Sequence, residues 1–398
     1  MVGMLVPLLA GLAAVALALA WLTRSTSGLQ TLVHLADLAL PGVQVRAEGV
    51  EGSLHEGFGL GSLSIEGQDW RVRIDQLRVV PREFAPWTGH VALESASASR
   101  VAVDWISTPG PAHPPATLAL PFELSFARLS LGELALGARG ADPLVLSDLQ
   151  TGGRWNANAI ELDSGSVRWK SVHTELAGRM QTLRPYALHL EGRLASTLAG
   201  HAGSAQWTAG ENLESLHLQA RLAAAQAQGS LDARILPFAT VPLSGLELEL
   251  AGVELSEWFD APQARLDGRA RLKASGSEDG LTLSGPIELV NASPGPLDRG
   301  RIPARSAQGT LRWSGEGLHI EVEELRGAGG SAQGSVAWSE STQLSVEARL
   351  RGVDARQLWS TLKPTALGGR LAYNLAQGRD RFEGELVNAQ GLPLSARF

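Results

Sequence analysis

From residue 244 to 258 the chain reads SGLELELAGVELSEW, in which leucine and glutamate alternate with period two until a glycine breaks the pattern before a tryptophan. Side chains two apart share one face of an extended strand, so the segment predicts a β-strand with one apolar and one wet face. A related segment returns later: GVELSEW at 252–258 becomes GVDARQLW at 352–359, followed by LDGR (266–269) and LGGR (367–370) respectively. A strand that recurs belongs to an array, and each Gly-Val-acid turn predicts a short helix before the next strand.

The same period marks Leu216, Leu218, Ala220 and Leu222; Leu246, Leu248 and Leu250; Leu318, Ile320 and Val322; and Leu344, Val346, Ala348 and Leu350. Some runs change phase at a glycine, as in LSLGELALG, where Leu129 and Leu131 give way across Gly132 to Leu134 and Leu136, which predicts a bulge or tight turn. A second repeat begins at tryptophan, in QWTAGENLESLHLQ from Gln206, RWSGEGLHIEV from Arg312 and, more loosely, RWNANAIELDSGSVRW from Arg154. Units of this size cannot bury an apolar face alone, so they stack along an axis. With 398 residues, 44% of them apolar, the chain is too apolar for disorder and too long for one compact core. The expectation is a mainly β, elongated repetitive sheet.

The N-terminus has a different character. Val2 to Leu22 carry no charge, and as a helix they would span roughly 31 Å, enough to cross a bilayer. Trp21 and Arg24 stand at the exit, where interfacial residues belong, and Pro7 falls in the first turns. The rival is a cleaved signal peptide, with small-x-small sites at Ala16-Leu17-Ala18 and Ala18-Leu19-Ala20; the length of the run and the lack of a preceding Lys or Arg favour an anchor. Next, Leu29, Leu32, Val33, Ala36 and Leu40 fall on one helical stripe, bounded by Ser/Thr and by Pro41-Gly42. That helix either packs on the first strands or lies along the membrane. The expected division is an anchor at 1–24, an amphipathic juxtamembrane helix at 25–42, a first β segment at 43–106, the Pro-rich loop STPGPAHPP at 107–115, and a repetitive β array at 116–398.

Several chemistries are disfavoured. A net charge of −7 (34 basic against 41 acidic residues) without a basic run gives no footprint for nucleic acid. Cysteine is absent, which removes disulfides, thiolate nucleophiles and Cys-based metal sites. The nine histidines form no H-E-x-x-H, and no G-x-S-x-G elbow occurs, so neither a metal nor a cofactor is expected. GAGGSA at 327–332 fits a dinucleotide fingerprint, but another strand-like segment follows it where a helix is required, so it reads as a turn. Glu247/Glu249 and Glu321/Glu323 would stand roughly 7 Å apart on one strand face, a spacing open to glycosidase chemistry and also to a solvated outer face. Trp155, Trp169, Trp207, Trp313 and Trp338 are candidates for packed core, for the lining of an apolar face, or for carbohydrate stacking.

The charge-free anchor, the segment TSGLQTLVHLADLALPGVQV, the following EGSLHEGFGLGSLSIEG and the Trp and Gly-Val-acid repeats together resemble the N-terminal region of the TamB proteins, within the AsmA-like family. That resemblance implies a single-pass protein of the bacterial inner membrane whose bulk lies in the periplasm. Its body would be a half-open, taco-like β-trough with a few short helices, moving phospholipid toward the outer membrane. It also implies a TamA-like outer-membrane barrel as partner. Members of the family are longer, and the chain stops at GLPLSARF within what reads as a further repeat, which leaves the contact with a barrel open. The expectation is a carrier without enzymatic activity. Its candidate lining is Leu216, Leu218, Leu246, Leu248, Leu250, Leu318, Ile320, Val322, Leu344, Val346 and Leu350, with Trp21 and Arg24 at the membrane interface. The rivals are a scaffold whose sheet edge templates incoming outer-membrane strands, and a β-solenoid that binds or cleaves carbohydrate.

Overall fold

The structure is a computed structural model, and it describes residues 25–39, 42–85, 88–105, 117–138, 142–198, 200–277, 280–339, 343–376, 379–389 and 395–397. The apolar run 2–22 with Trp21 and Arg24, and the Pro-rich loop 107–115, lie outside them. Among the described residues no helix is long and apolar enough to cross a membrane. The protein is mainly β, with a few short helices. Its described residues form two compact units, one within 25–196 and the other within 197–397.

The first unit opens with helix α1 (Thr26–Ala39), where the Ser25 hydroxyl accepts from the Gly28 amide, the expected role of a serine before a first turn. Then come β1 (Gln44–Glu48), β2 (Glu51–Ser53), β3 (Gly57–Glu66), β4 (Trp70–Ala85) and β5 (His90–Trp105). They are followed by β6 (Glu123–Ala138), β7 (Leu144–Trp155), β8 (Ala159–Trp169), β9 (Val172–Gln181) and β10 (Leu188–Leu198). Neighbours pair antiparallel except β5 and β6, which run parallel because the chain crosses back between them.

One line of interrupted pairing runs across this unit. It passes Gln76 on β4, Ser99 on β5, Gly132 on β6 and Asp148 on β7, and both Gln76 and Asp148 adopt φ of 52°. On one side the apolar row is Ile65, Val72, Val103, Leu136 and Leu144; on the other the parity has switched to Leu60, Leu77, Leu131 and Leu149. The phase change seen at Gly132 is thus a crease shared by several strands. Glycine is needed there because a Cβ would stand 2.6 Å from the Ser99 carbonyl oxygen.

The second unit is a meander of β11 (His201–Glu211), β12 (Leu216–Ala224), β13 (Ala227–Ile235), β14 (Leu243–Glu254), β15 (Arg265–Ser277) and β16 (Gly280–Asn291). It continues through β17 (Ala304–Ser314), β18 (Gly317–Gly327), β19 (Gly330–Ser339), β20 (Gln343–Val353), β21 (Leu367–Ala376), β22 (Arg379–Asn388) and β23 (Ser395–Arg397). Among the described residues consecutive strands of this unit pair antiparallel. Because the strands alternate in direction, the connections fall on two rims. One rim carries short hairpins; the other carries α2 (Leu255–Trp258), a 3-10 turn at Leu297–Arg299 and α3 (Ala355–Leu358).

The Gly-Val-acid repeat has one structural meaning in both copies. Gly252 and Gly352, at φ of 69° and 65°, bulge the ends of β14 and β20, and the register shifts between Leu250 and Val253 and again between Leu350 and Val353. The acid then closes the loop it opens: Glu254 accepts from the Ala264 amide, and Asp354 accepts from the amides of Arg356 and Thr365.

Candidate functional site

In-register neighbours on adjacent strands share a face, so the pairings of the second unit can be followed as rows across it. One row is continuous from β11 to β22: Trp207, Ala220, Leu231, Leu248, Ala270, Ile287, Gly309, Val322, Gly334, Ala348, Leu371, Gly384. The next row toward the helix rim is equally continuous and alternates large with small. Leu222, Leu250, Leu289, Leu325, Leu350 and Leu386 occupy the even-numbered strands, with Gly229, Gly268, Ala307, Ala332 and Gly369 between them. The leucines lean across their small neighbours: Leu250 Cδ2 would stand 2.8 Å from a Cβ at Gly229, and Leu289 Cδ2 2.9 Å from one at Gly268. Leucines that fill the space over glycines level the surface, so the wall presents a nearly unbroken sheet of methyl groups.

All eleven candidate lining residues fall on this face. Leu248 and Val322 stand in the first row, and Leu250 and Leu350 in the second. Leu218, Leu246, Ile320 and Val346 form a third row, and Leu216, Leu318 and Leu344 lie beside the hairpin rim. All are half-buried. The fully buried apolar residues of this unit are accordingly small, Ala205, Ala209, Ala233, Ala264, Ala328 and Ala332 together with Val353. A face of leucines that is neither packed nor fully wet is a surface for something apolar.

The opposite face is charged and internally compensated. Glu249 meets Arg269 at 2.8 Å and Glu247 meets Arg271 at 3.6 Å, each with its in-register neighbour. The glutamates that permitted a glycosidase reading therefore serve as cross-strand ion pairs. Glu323 accepts from the Thr310 hydroxyl and Glu321 is exposed. His217 shares Asp232 with Gln219, whose amide is the main cause holding that carboxyl below the usual range. GAGGSA is the tight β18–β19 turn, with Ala328 and Gly329 at positive φ and Gly327 paired to Gly330. Among the described residues no group of three or more His, Asp or Glu could hold a metal.

The tryptophans divide. Trp155 and Trp313 each precede a hairpin, whereas Trp207 stands four residues inside its strand, so the sequence repeat does not superpose all three. Trp155 donates to the Leu118 carbonyl across the first unit. Trp313 and Trp338 share the apolar face with Leu318, in register with both, and are 41% and 51% exposed, too wet for packed core.

The features missed from sequence lie on the helix rim. His201 bonds the Glu257 carbonyl and sets its ring against Trp258, 5.2 Å between centroids. The Gln263 amide donates to Gly300, and the Ile302 amide donates back to Gln263. Asp298 takes the amide and the hydroxyl of Ser360, bonds that hold its carboxyl below the usual range. The connections are thus tied to one another over partners as many as 62 residues apart.

The second unit is a two-faced β-ladder with a continuous apolar wall on one side and paired charges on the other. Residues 15–179 match the family model described as TamB, N-terminal domain. No curated protein and no solved structure matches the chain.

Proposed function

We propose that the protein is a non-enzymatic lipid carrier of the bacterial envelope, anchored in the inner membrane, whose periplasmic trough shields phospholipid acyl chains on their way between the inner and outer membranes. One observation carries the reading: two apolar rows that cross every strand from β11 to β22 without a break and remain uncovered. At about 0.8 kcal/mol per exposed methylene, a two-tailed lipid in water carries a penalty on the order of 20 kcal/mol or more, so continuous cover is what its transit requires. A wall levelled by leucines over glycines offers cover without a deep well, which favours movement along it. The match of residues 15–179 to the TamB N-terminal domain supports an envelope location, with a TamA-like barrel as the expected partner.

Photo-crosslinkers at Leu248 and Ile320, with Glu249 and Glu321 as outward controls, test the reading in cells. Lipid should be captured from the first pair and not from the second. Equal capture from both pairs, or from neither, sinks it.

A further inference from the structure

Between the 3-10 turn and α3 the helix rim carries three large exposed apolar side chains, Leu297 (43%), Trp359 (47%) and Leu362 (50%). They sit on connections that the Asp298–Ser360 hydrogen bonds hold together, so they are presented by one braced platform. The charges around them are one-sided. Residues 292–305 and 354–366 contain five cations, Arg299, Arg301, Arg305, Arg356 and Lys363, against two acids, in a chain whose net charge is −7. Both acids are engaged by local hydrogen bonds, the exposed Asp298 with Ser360 and the half-buried Asp354 with the amides of Arg356 and Thr365, which leaves a local excess of three positive charges. None of the five cations makes an ion pair among the described residues.

We propose that this part of the helix rim docks on a bilayer that carries anionic headgroups. Tryptophan and leucine at the tips of rigid connections enter the interface, and the unpaired cations meet the phosphates, which is the chemistry of a peripheral membrane contact. Docked so, the strands stand on the membrane by their ends. The levelled row that contains Leu289 and Leu350 lies toward this rim, with Leu266 and Val353 between it and the connections, so an acyl chain leaving the bilayer meets apolar wall. Lipid then loads sideways over the rim. This consequence rests on the carrier reading, whereas the docking does not.

The chain has no cysteine, so single thiols can be placed without competition. Full-length Thr361→Cys and Glu316→Cys, the second on the hairpin rim, carry an environment-sensitive fluorophore and are reconstituted into vesicles with brominated acyl chains. In phosphatidylglycerol vesicles the probe at 361 should be quenched and the probe at 316 should not; in phosphatidylcholine neither should be. Arg301→Gln with Lys363→Gln should lower the docked-to-free ratio about 30-fold, from roughly 1 kcal/mol for each cation near an anionic surface. Equal behaviour of the two probes overturns the proposal, as does quenching that ignores lipid charge. Protection of 361 that rises with protein concentration without vesicles also overturns it, since a second copy is then the occupant. Crosslinking from Leu248 in the same preparation separates the two readings. Capture there beside an unquenched 361 removes the docking and leaves the carrier, and the reverse result removes the carrier and leaves the docking.

Discussion

Leu250 on β14 stands in register with Gly268 on β15, and the side chain that fills the space over Gly268 comes from Leu289 on the far side. The glycine is therefore a seat for its neighbours. Gly268→Val should overpack the wall and cost about 1–3 kcal/mol in urea unfolding. Gly368→Val is the matched control, since a Cβ there meets nothing closer than the Leu350 carbonyl at 3.6 Å. Equal midpoints for the two variants would show that the wall yields.

Gly352 isolates the backbone term, because a Cβ there would meet no atom within 4 Å although φ is 65°. Gly352→Ala should cost about 1–2 kcal/mol from the left-handed conformation alone. Gly352→Asn should recover part of it, since asparagine tolerates that region better. An alanine variant as stable as the parent would mean that the bulge can relax.

The Glu249–Arg269 pair is more than half exposed on both sides. Glu249→Gln should change stability by no more than about 1 kcal/mol, and the change should shrink in high salt. A larger, salt-independent loss would assign the carboxylate a role beyond surface pairing.

Asp298 should respond to acid. Its hydrogen bonds from Ser360 lower the folded-state carboxyl below its unfolded value. The contribution of the bond is therefore in place above the usual carboxylate range and is lost as the pH falls through the lowered folded value. Ser360→Ala should move the Asp298 carbon-13 titration upward toward that range, and an unmoved midpoint would assign the lowering to other groups.

The faces of this fold were legible because period two is a local property, and Leu246, Leu248 and Leu250 announce their shared side without any partner. Gly252 and Gly352 likewise announced a turn and a helix. Register was less accessible, because it depends on which strand lies alongside. The crease through Gly132 reads in one strand as a phase change, and only Gln76, Ser99 and Asp148 beside it show that it crosses the unit. Trp207 and Trp313 open similar segments yet lie at different depths in their strands, since a repeat in sequence fixes order and not the distance to a turn. The braced rim was invisible because Asp298 and Ser360 have no local pattern linking them; the relation exists only once the ladder has set their connections side by side.

The regular meander of the second unit also has a metric consequence. From β14 to β20, between the two copies of the Gly-Val-acid motif, the ladder advances by six rungs, about 29 Å at roughly 4.8 Å each. Inserting or deleting one such module would lengthen or shorten the ladder by that amount while leaving its cross-section unchanged. The length of this unit along its stacking axis is in this sense written in its repeat number and can change without redesigning the wall.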